Sequence, residues 1–233
     1  MSSQLQELLD GAKAGRWILP SAKEPNPVSL ARAIAAICGA PEIPADPVAD
    51  QFRDLIGEPR HLIFVIADGF GMNFVNTLDG DSFCRSNLAL ESRAVFPSST
   101  GANLFAYGRA QWPAQHGKLA WYVYLSELGE RATLFSWHRT RDEASMTDLG
   151  FDGAAVFPGD PLVESFGRDR KVFIPNAIAG SIPTRSLHGS DHVVGYAELP
   201  DAVDLVARRI SSAATPTYSH LYWSKIDSTA HGS

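Results

Sequence analysis

Asp68, Thr100 and the pair Asp227 and His231 are the residues of this chain whose types and spacing could do chemistry. Thr100 lies in Phe96-Pro-Ser-Ser-Thr-Gly-Ala-Asn-Leu104, and Pro113-Ala-Gln-His-Gly117 follows after a short helical run. A threonine hydroxyl is a poor nucleophile until a base or a metal lowers its pKa. Carboxylate oxygen and imidazole nitrogen are common zinc ligands, and a separation of four brings Asp227 and His231 to one face if that segment coils. Taken singly, each has an ordinary reading. Thr100 suits a helix N-cap, and Asp227 with His231 suits a surface capping pair. Taken together, and each at the end of a strand, they imply metal-assisted chemistry at phosphorus.

The elements that must hold these residues are legible from hydrophobic pattern. His61-Leu-Ile-Phe-Val-Ile-Ala67 is continuously apolar, the habit of a parallel strand buried on both faces, and Asp68-Gly-Phe-Gly71 ends it. Ligand crevices of open α/β sheets form outside such carboxyl ends. Arg93–Phe96 is expected to be a second short strand, because Pro97 holds Phe96 extended. Ser98 to Thr100 then suit the N-terminus of a helix over residues 102–110, whose free N–H groups and dipole favour an anion. Ser219-His-Leu-Tyr-Trp-Ser-Lys-Ile226 reads as a core strand that delivers Asp227. Strands interleaved with helices define an α/β class.

Residues 1–60 read as an N-terminal helical extension packing on the core. One helix is expected over Ser29–Cys38, with Ser29 as N-cap and Gly39 as terminator, and another over Ala49–Ile56. Residues 61–233 read as the catalytic domain, with a cap-like insertion at about 119–195. That insertion contains strand candidates at Trp121–Leu125, Ala132–Trp137 and Lys171–Ile174, and a helix follows at Leu199–Ile210. The alternating Trp121, Tyr122 and Tyr124 read first as core packing, with stacking of a base or aryl group as the other use. His116, His138, His188 and His220 read as structural.

Composition narrows the class. A net charge of −6 argues against binding a nucleic-acid polymer, which calls for a basic patch. The longest apolar run falls far short of the ~20 residues of a membrane helix. The N-terminus has neither a basic region nor an apolar core of signal-peptide type, so a cytoplasmic location is expected by elimination. Cys38 and Cys84 make no metal-type pair and are expected to be reduced and structural. Nothing in the sequence sets an oligomeric state.

The segments Val65-Ile-Ala-Asp-Gly69, Phe96–Asn103, Pro113–Gly117 and Tyr222-Trp-Ser-Lys-Ile-Asp-Ser-Thr-Ala-His-Gly232 together resemble the type I phosphodiesterase/nucleotide pyrophosphatase family of the alkaline phosphatase superfamily. The resemblance spans roughly Leu62 to Ser233. It implies an alkaline-phosphatase-like three-layer sandwich around a largely parallel sheet, and a site with two zinc ions. By motif, Asp68 and Thr100 would sit at one zinc while Asp227 and His231 bind the other. Thr100 would attack phosphorus in line and form a phosphothreonine, which water then hydrolyses. The expected substrates are small-molecule phosphoesters, with phosphodiester or nucleotide pyrophosphate bonds, and Asn103 is the candidate substrate-binding amide.

Three departures accompany the resemblance. The family adds an Asp-His pair and a further His downstream of the Asp227 segment, so the chain is expected to be C-terminally truncated. Ser190-Asp-His192 precedes Asp227 and is in the wrong order to replace them. Trp121 stands where the family has a phosphoryl-binding asparagine, and Arg109-Ala110 where it has Thr-Gly. The alternative expectation is accordingly an inactive or single-metal-binding fragment of such an enzyme.

Overall fold

The apolar run His61–Ala67 forms strand β1, and it pairs along its whole length with the last strand, β6, Thr217–Trp223. The computed structural model describes residues 3–18, 21–126, 128–151, 153 and 156–232. Three helices precede β1: α1 (Ser3–Lys13), α2 (Pro27–Ile37) and α3 (Pro47–Ile56). Short helices α4 (Met72–Val75) and α5 (Phe83–Ser86) follow it, then α6 (Thr100–Arg109) and α7 (Pro113–His116). A hairpin of β2 (Tyr122–Leu125) and β3 (Glu130–Thr133) comes next. Beyond it lie β4 (Asp169–Pro175), α8 (Asn176–Ala179), α9 (Ile182–His188), β5 (Val193–Tyr196), α10 (Leu199–Ser212), β6 and α11 (Lys225–His231).

The main sheet has the order β1-β6-β4-β5, and every pairing in it is parallel. Helices cover both faces, the arrangement that parallel strands require. On one face Phe173 and Leu221 pack with Ala202 and Val206 of α10. On the other, Leu62 and Tyr218 pack with Ile34 of α2, and Ile174 and Tyr222 with Leu104 of α6. The chain is thus an α/β protein with a four-stranded parallel sheet between helices. Among the described residues, no helix is long and apolar enough to cross a membrane.

Several expectations are corrected. β6, not β1, is the strand buried on both faces. β1 is an edge strand, and its Ile63 and Val65 are 45% and 53% exposed. Arg93–Phe96 is not a strand: Arg93 N–H donates to the Pro25 carbonyl and Val95 N–H to the Asn103 side chain, so neither joins a ladder. The interval 119–195 is not uniformly a cap, because β4 and β5 are half of the main sheet. Among the described residues, only β2 and β3 form a separate sheet, and β3 stops at Thr133 where the chain turns through Trp137, at φ +53°. Asn26, not Ser29, caps α2. Its extended backbone and Pro27 at the first helical position fix the start, and its side chain accepts from Ser29 N–H.

Candidate active site

The register of β1 and β6 builds the floor of the site. Ala67 lies opposite Trp223, and Asp68 N–H continues the ladder by donating to the Trp223 carbonyl at 2.8 Å. The carbonyl of Asp68 then accepts from Asp227 N–H at 3.2 Å, so the backbones of the two acids are tied to each other. Gly69 makes this approach possible. It has φ +80°, and a Cβ there would stand 2.8 Å from the Asp227 nitrogen.

Thr100 is the first residue of α6, but it is not the cap. Ser99 takes that role, with its hydroxyl accepting from Ala102 N–H at 3.2 Å and donating to the Leu119 carbonyl at 2.8 Å. The Thr100 hydroxyl is thereby released from capping, and its effect on the neighbouring Asp68 carboxyl is to lower the latter's pKa, the least of the influences on it. Thr100, Asp68 and Asp227 line one pocket of about 150 Å³. Three of the four residues, Asp68, Thr100 and Asp227, therefore share a pocket, although only Asp68 directly follows a strand and His231 is not among the described lining residues.

Tyr222 is the neighbour that sequence reasoning missed. Its hydroxyl donates to Asp68 Oδ2 at 2.7 Å. Burial pushes the Asp68 carboxyl above its ordinary value; the Tyr222 hydrogen bond opposes that, and the nearby Asp227 charge adds to it. Two carboxylates without a lysine or arginine among the described lining residues make a site of uncompensated negative charge. Such a site favours a cation.

The other expected residues are placed less centrally. His231 ends α11, one turn after Asp227, and its Nε2 is 3.6 Å from Asp227 Oδ1 with the side chain 80% exposed. Asn103 is committed to backbone: its amide oxygen accepts from Val95 N–H and its amide nitrogen donates to the Ser99 carbonyl. It holds the segment leading into α6 and is not among the described residues lining the pocket. Among the described residues, no three His, Cys, Asp or Glu side chains form a metal-holding group. Asp68, Thr100 and Asp227 offer oxygen donors, a set that suits a hard divalent ion, and His231 is a nitrogen donor of the kind zinc favours beside Asp227.

Two histidines read as structural also face this region. His188 at the end of α9 and His220 on β6 line the pocket with ring centroids 5.3 Å apart. The alternation of Tyr218, His220 and Tyr222 on β6 is the signal that places His220 on the same face as the Asp68 partner. His116 conforms to the structural reading, with Nδ1 accepting from Lys118 N–H at 3.0 Å. The core reading of the aromatic cluster is corrected. Tyr122 and Tyr124 are 62% and 65% exposed, whereas Trp121 lines the pocket and packs on Phe135. Cys38 is buried, but Cys84 is exposed.

No family model matches the chain, and neither a curated protein nor a solved structure matches it.

Proposed function

We propose that the chain is a metal-dependent hydrolase of phosphoric esters, acting on phosphodiester or nucleotide pyrophosphate bonds with Thr100 as nucleophile. The observation that carries this reading is the shared pocket of Thr100, Asp68 and Asp227, with the Thr100 hydroxyl beside a carboxylate and free of capping. Asp68 and Asp227, with Thr100 and His231, are the residues that would hold the two zinc ions of the expected site, and other divalent ions suit the oxygen donors. Bound there, a divalent cation lowers the pKa of a coordinated hydroxyl and offsets phosphoryl charge. The chain's own residues do the rest. Asp68 takes up the hydrogen of the Thr100 hydroxyl, Tyr222 fixes the Asp68 carboxylate, and Ser99 sets the start of α6. The first turn of α6 adds partial positive charge for a phosphoryl oxygen.

A second reading is favoured by the exposure of His231 and the lack of a three-ligand cluster among the described residues. On that reading one cation binds weakly and no turnover follows. Both are tested with purified protein loaded with zinc or manganese and assayed on bis(4-nitrophenyl) phosphate. Hydrolysis that falls about 10³-fold or more in Thr100→Ala supports the nucleophile, and retained turnover in that variant sinks it. A stoichiometry near two ions per chain excludes the second reading. No hydrolysis with either metal, at one ion or fewer, establishes it.

A further inference from the structure

The rest of the pocket lining is more selective than phosphoryl chemistry alone requires. Leu104, Trp121, Phe135, Ile174, Ile178 and Leu187 give it apolar walls. Asp68 and Asp227 are the acids of the described lining, and no lysine or arginine is present there to receive a second anionic group. The pocket volume is about 150 Å³, and a protein cavity of about that size with aliphatic and aromatic walls takes up benzene.

Among the polar, uncharged groups of the wall, the His220 ring is the one whose tautomer is fixed by a backbone partner. The Phe64 carbonyl can only accept, so His220 Nδ1, 3.0 Å away, is the protonated nitrogen and Nε2 keeps its lone pair. The ring is 3% exposed and stacks on Phe64 at 5.1 Å, which fixes its plane. Burial also pushes the His220 pKa down to about 4, in keeping with a neutral ring. His188 packs against it as the second imidazole of the wall. A neutral imidazole nitrogen on a wall shared with Leu104, Ile174 and Leu187 is an acceptor, and a ligand that leaves it unpaired binds less well than one that supplies a donor.

We propose that this pocket binds a compact, uncharged, largely apolar group of about benzene size that carries one hydrogen-bond donor, a phenol being the simplest case. Resting on the hydrolase reading, this group is the ester substituent seated next to Thr100, with His220 Nε2 as the acceptor for its donor. The pocket then discriminates against a substituent that brings a second negative charge.

The test uses the full chain without added metal, with phenol and benzene as probes, and follows the Trp121 indole and the His188 ring by NMR. Phenol is expected to bind saturably, and benzene about fivefold more weakly, the factor one neutral hydrogen bond contributes. His220→Phe is expected to bring the two affinities together. Ile178→Trp, a half-buried position on the pocket wall, is expected to weaken both about tenfold or more by filling the space. Shifts that leave Trp121 and His188 unmoved, or affinities unchanged in folded Ile178→Trp, overturn the proposal. Failure here and failure of the hydrolase reading are separable. Phenol binding in the pocket without ester hydrolysis sinks the hydrolase reading alone. Thr100-dependent hydrolysis that is indifferent to the ester group, without phenol binding, sinks this one alone.

Discussion

Lowering the pH from 7 to 5 is expected to destabilise the fold, and the share carried by His220 follows from its surroundings. The ring is 3% exposed between Phe64 and His188, and burial, opposed by the Phe64 carbonyl, pushes its pKa from 6.5 down to about 4. In the unfolded chain the same imidazole takes up a proton near 6.5. Between those values the unfolded state binds more protons, so stability rises with pH there. The contribution is fully present above pH 6.5 and is lost progressively as the pH falls toward 4. For one such group the loss is about 2 kcal/mol between pH 7 and pH 5, approaching about 3 kcal/mol at still lower pH. His188, driven well below its ordinary value by burial, and His116, pushed down to about 4, act in the same direction. Urea unfolding of the wild type and His220→Phe at both pH values isolates the share. Phenylalanine keeps the ring against Phe64 but titrates nothing, so the variant's loss on acidification should be smaller by about 2 kcal/mol. The comparison is of pH dependences, because the lost bond to the Phe64 carbonyl lowers the variant's stability at every pH. Equal losses in the two proteins, or an NMR titration of His220 near 6.5, would refute the reasoning.

Asp46 caps α3, accepting from Val48 and Ala49 N–H groups while also holding Ser29 and Arg32. Asp46→Ala should cost about 2 kcal/mol in chemical unfolding. Burial raises the Asp46 pKa, but the hydrogen bonds from Ser29, Ala49, Arg32 and Val48 outweigh it and hold the carboxyl below its ordinary value. Its contribution is present above the ordinary carboxylate range and lost as pH falls through the lowered value, so Asp46→Asn should flatten the acid limb of a stability profile. Gly69→Ala forces a side chain into positive φ against the Asp227 backbone; it should lower stability by about 1–3 kcal/mol and weaken divalent-ion binding in calorimetry. Tyr222→Phe removes the 2.7 Å bond to Asp68 and should weaken ion binding about fivefold while leaving the circular dichroism spectrum unchanged.

The parts of the site that were legible in sequence are those where side-chain type and strand position coincide. Asp68 follows an unbroken apolar run, and β1 ends where that run ends. Asp227 is displaced from the expected strand end: β6 stops at Trp223, and the segment expected to continue it to Ile226 already starts α11 at Lys225, so Asp227 stands in that helix's first turn. Thr100 was legible as a residue near a helix start, but Ser99 and Thr100 are chemically alike as caps, and only the contact of Ser99 with the Leu119 carbonyl assigns the two roles. Tyr222 and His220 were missed because their partners, Asp68 and the Phe64 carbonyl, are remote in the chain. The order of the sheet was not legible either. Lys171–Ile174 looked like cap because apolar run length cannot say which strand lies beside which. The exposure of Tyr122 and Tyr124 escaped for a related reason: alternation marks two faces of a hairpin without saying which face is covered.

The same remoteness governs when the site can exist. His61 and Thr217, at the first rung of the β1–β6 pairing, are 156 residues apart. β6 lies between β1 and β4, so it must enter the sheet with neighbours on both sides. Closing so long a segment is entropically costly, and non-local pairing of this kind forms late rather than early. Asp68 and Asp227 therefore become neighbours only when the last strand docks. Their mutual repulsion falls on that closing step, where Gly69 also brings the Asp227 backbone close. A cation that binds both acids acts on the folded state alone and stabilises it by linkage. On the proposed metal-dependent reading, the acid pair would tie ion affinity to β6 docking: a substitution that loosens β6, even one distant from the pocket, should weaken ion binding in calorimetry without touching a ligand.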